Sequence, residues 1–110
     1  MRTDRELIEL AAKSLGRELR WEKDKFSGRE HCRFISCADK WNPLDDDGDA
    51  LRLATALRIS IIRDSPNVQA VADQLGDRKT KIQEDVLYQC RHAATRRAIV
   101  RAAAYIGGQL

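Results

Sequence analysis

A chain of 110 residues has the length of one ordinary domain, 1–110, and can bury a single core without disulfide or metal staples. Charged residues make up 34% and hydrophobic ones 43%, a mixture that folds, so a disordered tail is excluded. Twenty Lys and Arg against seventeen Asp and Glu leave +3, a small surplus beside that of a dedicated nucleic-acid binder, and no apolar run approaches the about 20 residues of a membrane helix.

The charged start Met1-Arg2-Thr3-Asp4-Arg5-Glu6 lacks the apolar stretch of a signal peptide and predicts a cytoplasmic protein. Thr3 to Glu6 has the form of a capping box, in which the threonine hydroxyl accepts from the amide three residues on. Leu7, Ile8, Leu10, Ala11 and Leu15 then recur at helical spacing, and Gly16 suits a left-handed C-terminal turn. The spacing predicts a helix over 4–15. Beyond it the period falls to two: Leu19 and Trp21 alternate with Glu18, Arg20 and Glu22, predicting a strand over 17–22. Ser27-Gly28 marks a turn, and a second strand over 31–36 places Cys32 and Phe34 on one face. A hairpin joins the two.

Trp41-Asn42-Pro43-Leu44 leads into Asp45-Asp46-Asp47-Gly48-Asp49, and Ala50, Leu51, Leu53, Ala54 and Leu57 repeat at helical spacing. Carboxylates accept from free amides at a helix start and complement its dipole, so a helix over 47–57 is expected. Ile59 to Ile62 are mostly β-branched and predict a strand over 58–63. Residues 68–73 and 82–88 read either as strands, with Val68, Ala70 and Ala72 on one face, or as helices around the turn glycine Gly76. The last element is a helix over 91–106. Thr95, Ala98, Ile99, Ala102 and Ile106 share one side of it, Arg96, Arg97 and Arg101 lie off that side, and Gly107-Gly108 stops it.

The chemistry these residues offer is thin. Cys32, Cys37 and Cys90 are an odd number, so a complete disulfide framework is excluded and reduced thiols are expected. Their spacing, even with His92 added, matches no zinc pattern. Reading Asp45 to Asp49 as a calcium loop puts Pro43 and Ala54 where the first and last ligands belong, so a solvated helix start is the better account. His31 and His92 sit in no nucleophile motif, and no glycine-rich loop opens a helix to cradle phosphate. No catalytic residue, metal or cofactor is therefore expected. Residues 67–88 fit a helix-turn-helix at Ala72, Leu75, Gly76 and Ile82, with Arg78, Lys79 and Lys81 toward phosphates. Asp77 and Asp85 stand against it, at positions where that motif wants apolar side chains.

Three strings carry a likeness: Asp4-Arg5-Glu6-Leu7-Ile8-Glu9-Leu10-Ala11-Ala12-Lys13, the run from Trp41 to Ala54, and the run from Ala94-Thr95-Arg96-Arg97 to Ala104. Together they resemble small proteins of tailed phages and prophages, the group described as the phage α-β-α sandwich domain. The resemblance implies a layered architecture and a phage or prophage origin. It carries over no functional residue.

The expectation is thus an α+β fold, with an antiparallel sheet of three to five strands packed with three α-helices as a layered sandwich. Functionally, a phage- or prophage-encoded accessory protein is expected, a non-enzymatic binding module for a host or phage protein. Two patches of opposite sign are its candidate contacts: Trp41 with Asp45, Asp46, Asp47 and Asp49, and Arg96, Arg97 and Arg101. Opposite patches can also pair between copies, which admits a homodimer, or within one copy, which leaves them solvated structure. Nucleic acid is the less favoured partner, and the helix-turn-helix regulator over 67–88 is the alternative.

Overall fold

The computed structural model describes residues 2–64, 67–73, 79–85 and 90–109. Helix α1 (Asp4–Ser14) begins at Thr3, whose hydroxyl accepts from the Glu6 amide at 3.2 Å. It ends one residue earlier than the apolar spacing suggests, because Leu15 is the cap and Gly16 turns the chain with φ of 68°. Strands β1 (Leu19–Lys23) and β2 (Glu30–Phe34) form the expected hairpin, which pairs Trp21 with Cys32 and Leu19 with Phe34. Helix α2 (Asp47–Leu57) has the predicted bounds and closes on Arg58 in the left-handed region.

Strands β3 (Ile59–Asp64), β4 (Asn67–Asp73) and β5 (Lys79–Asp85) make an antiparallel meander in that order. Two neighbouring strands thus stand where the helix-turn-helix needs its helices. Val68 and Ala70 are both buried, which is the alternation of a half-buried strand, and Ile61, Ala70 and Ile82 line up across the three strands. Of the helix-turn-helix positions, Leu75, Gly76, Asp77 and Arg78 lie outside the described residues, as does the 86–88 end of the expected fifth strand.

The α+β class is as expected, but the strands divide between two sheets, β1-β2 and β3-β4-β5. The connection from Ile35 to Asp46 turns through a left-handed residue, Ser36, and leads into α2, after which β3 starts a new sheet. Helix α3 (Arg91–Gly107) packs against α1, α2 and the meander. This explains why its buried set exceeds the predicted stripe: Ala94, Val100, Ala103 and Ala104 are interior along with Ala98, Ile99 and Ala102. A helix touched on several sides is apolar around most of its girth, and alanine lets its neighbours come close. Gly107 belongs to this packing, inside the helix; Gly108 is the cap.

The hairpin is tied to α1 by Arg5, which lies 4.4 Å over the Trp21 ring and bonds Glu30 at 2.8 Å. Cys32 sits in the core and Cys90 is exposed at the start of α3, where its sulfur accepts from the Ala93 amide at 3.2 Å. Burial pushes the Cys32 thiol up to about 11, so it stays neutral at physiological pH and its neutral form favours the fold up to alkaline pH. With a thiol reagent at pH 8 under native conditions, Cys90 and the half-buried Cys37 are expected to react. Cys32 should react only on unfolding; three equivalents consumed at one fast rate would contradict its burial.

Candidate functional site

The segment from Trp41 to Asp49 is the candidate acidic contact, and the structure places much of it inside. Trp41 is 6% exposed. Its ring lies 4.5 Å from that of Phe34 at 39°, its amide donates to the Cys32 carbonyl at 2.8 Å, and its carbonyl accepts from the Cys32 thiol. Asn42 organises the turn that leads into α2. Its carbonyl accepts from the Asp45 and Asp46 amides. Its side-chain oxygen accepts from the Leu44 amide, and its side-chain nitrogen donates to Asp45. The Asp46 carboxylate caps α2 by accepting from the Asp49 amide at 2.8 Å.

Asp49, 8% exposed, accepts from the Asn42 amide at 3.0 Å and from Arg52 at 2.7 Å. A carboxylate this well supplied with donors is a structural lock on the loop rather than a free charge. The arginine partner lies one helical turn along α2, so this pair was open to a sequence reading; the Asn42 bond needed the loop to fold back.

The three candidate arginines of α3 part company. Arg96 turns toward the loop, donating from Nε to the Leu44 carbonyl at 2.7 Å and from Nη1 to Asp47 at 2.6 Å. The two candidate patches therefore meet within one molecule at this point. The Arg96 hydrogen bond holds the Asp47 carboxyl below the ordinary carboxylate range. A group whose pKa is lower in the folded state stabilises the fold above its unfolded pKa and loses that contribution as the pH falls through the folded value. Asp47→Asn is accordingly expected to flatten the stability–pH curve below about pH 4, as read by urea midpoints at successive pH values; an unchanged acid limb would mean the pair is not held in solution.

Arg97 and Arg101 face the other way, one helical turn apart. With Arg2, Leu7, Ile82, Ala104 and Tyr105 they line a cleft of about 510 Å³. Leu7 and Ala104 are buried and supply an apolar floor, and Tyr105 is 49% exposed. Arg97 also holds Asp4 at 3.1 Å. The result is a cationic rim above an apolar base, a combination that suits an anionic group carried on an apolar segment. Arg2 and Tyr105 are not among the sequence-predicted contacts. Tyr105 lies four residues beyond Arg101, which is a readable spacing; Arg2 lies far away in sequence and is brought here by the packing of α1 on α3.

Among the described residues no group of three or more His, Cys, Asp or Glu is placed to hold a metal ion, and no helix is long and apolar enough to cross a membrane. No family model matches the chain, nor does any curated protein or solved structure.

Proposed function

We propose that this chain is a phage- or prophage-encoded, non-enzymatic binding protein of the bacterial cytoplasm that takes an acidic segment of a host or phage protein. The phage origin is supported by the three resembling strings in α1, in the approach to α2 and in α3. The binding role is carried by the convergence of Arg2, Arg97, Arg101 and Tyr105 on one apolar-floored cleft. Guanidinium groups bind carboxylates bidentately, and a tyrosine offers both ring surface and hydroxyl at little entropic cost. Trp41, Asp45, Asp46 and Asp49 serve to build the loop on which α2 starts, and Arg96 with Asp47 fastens that loop to α3. The contact residues of this proposal are therefore Arg97 and Arg101 from the predicted set, joined by Arg2 and Tyr105.

The test is a titration with a fluorescein-labelled peptide of alternating Glu and Leu, with Arg2→Ala and Tyr105→Ala as variants. Saturable binding that each variant weakens about fivefold to tenfold is expected, in the range of one lost charge-assisted hydrogen bond or ring contact. Absence of binding, or affinity indifferent to both variants, would remove the cleft from this role. Sedimentation of the free protein, read separately, reports whether two copies associate.

A further inference from the structure

A second surface lies at the tip of the β1-β2 hairpin, away from the cleft residues in sequence and built on its own terms. The turn is well tied: the Asp24 amide donates to the Arg29 carbonyl and the Gly28 amide to the Asp24 carbonyl, both at 2.9 Å. The Asp24 carboxylate accepts from the Phe26 amide at 3.0 Å, and the Ser27 hydroxyl accepts from the Arg29 amide at 3.3 Å. Gly28 takes φ of 71° with open space around it. On this scaffold Phe26 is 100% exposed. Single exposed apolar residues are common on protein surfaces, but here the turn's own hydrogen bonds hold a whole aromatic ring outward.

The charges around it are sorted. Lys23, Lys25, Arg29 and Lys40 are all exposed, and none forms an ion pair among the described residues. The hairpin's own acids at this end are occupied, Asp24 by the turn, Glu30 by Arg5 and Glu22 by Arg33 at 2.7 Å, while Asp39, beside Lys40 in the following loop, is exposed. The hairpin end therefore presents cations outward and keeps its carboxylates engaged along the body.

We infer that the hairpin tip is a nucleic-acid contact, in which Lys23, Lys25, Arg29 and Lys40 meet phosphates and Phe26 stacks on a base. A two-stranded ribbon fits the groove of a duplex, exposed lysines and arginines gain affinity by releasing condensed counterions, and an aromatic side chain stacks on any base because every base has a π-face. This surface is independent of the cleft: it needs neither Arg101 nor Tyr105, so failure of either leaves the other standing.

The experiment is fluorescence anisotropy of a labelled random-sequence duplex, and of its single strand, against the full chain over a salt series. Binding that falls steeply with salt is expected for at least one of the two probes. Phe26→Ala should weaken it about tenfold, and the double variant Lys23→Glu with Lys25→Glu should lower the salt slope by about two. Because the Phe26 side chain is fully exposed, its alanine variant should melt like the parent, which separates lost binding from lost folding. No binding to either probe at low salt, or affinity untouched by both variants, overturns the inference. Cosedimentation with phosphatidylserine vesicles in place of nucleic-acid binding would also overturn it and reassign the tip to a lipid surface.

Discussion

Trp41→Ala is expected to destabilise the fold by about 3–5 kcal/mol, the range for truncating a buried tryptophan. Against a total stability of about 5–15 kcal/mol for a domain of this size, that removes a large share. Thermal unfolding followed by far-ultraviolet circular dichroism should show the midpoint falling by about 10–20 °C. The physical reason is the place of the indole. It covers Phe34, while the backbone on either side of it bonds Cys32 on the hairpin. The ring thus couples the β1-β2 sheet to the loop that starts α2. Trp41→Phe should recover part of the loss, since it refills some of the volume and restores a ring against Phe34. A surface anchor would behave in the opposite way: its alanine variant would melt normally and lose only partner binding.

Gly107→Ala is the second large effect. In the middle of an exposed helix this change would stabilise by close to 1 kcal/mol, because alanine is the better helix former. Here a Cβ would stand 1.9 Å from the Leu10 carbonyl oxygen and 2.8 Å from its carbon, and backbone atoms cannot move aside by changing rotamer. Helix α1 must retreat from α3, opening the seam where Leu7, Ile8, Ala11 and Ala12 are buried. A net loss of about 2–3 kcal/mol or more is expected, the range for forced overpacking. Gly108→Ala provides the contrast. Its φ is −69° and the nearest atom to an added Cβ, the Ala104 carbonyl oxygen, is 3.3 Å away, a tight contact that an adjustment of a few tenths of an ångström relieves, so its urea midpoint should fall far less than that of Gly107→Ala. Equal effects at the two glycines would show that helix propensity, not the close approach of α1 and α3, governs the site.

These two residues bear on how the functional surface is read. Trp41 beside four aspartates has the look of a docking patch, and the structure uses most of that segment to lock a loop. The cleft and the hairpin tip are surfaces of a different kind. At the cleft, Arg2, which precedes α1, and the arginines of α3 gather over an apolar floor; at the tip, Lys23, Lys25 and Arg29 are exposed and form no ion pair among the described residues. Both are products of which residues the packing leaves outside, which is why variants at Tyr105 and Phe26 are expected to change binding with little cost to folding.

Much of the local structure is legible in the sequence alone because its causes are local. The Thr3 cap, the left-handed turn at Gly16, the aspartates opening α2 and the alternation of Leu19 with Trp21 each depend on neighbours within a few residues. Residues 67–85 do not yield in the same way. Val68, Val71, Ala72 and Leu75 recur at helical spacing while Val68, Ala70 and Ala72 alternate as a strand does, and only pairing with β3 and β5 decides between them, since strand formation rests on partners distant in the chain. The division of the described strands between two sheets, the burial of Trp41 and the parting of Arg96 from Arg97 and Arg101 are likewise settled by tertiary packing. A helix's periodicity says which side chains share a face; it does not say which face meets α1, which meets the loop, and which is left to solvent. Those outcomes depend on contacts between residues as far apart as Leu44 and Arg96, or Leu10 and Gly107, and no spacing within a single element contains them.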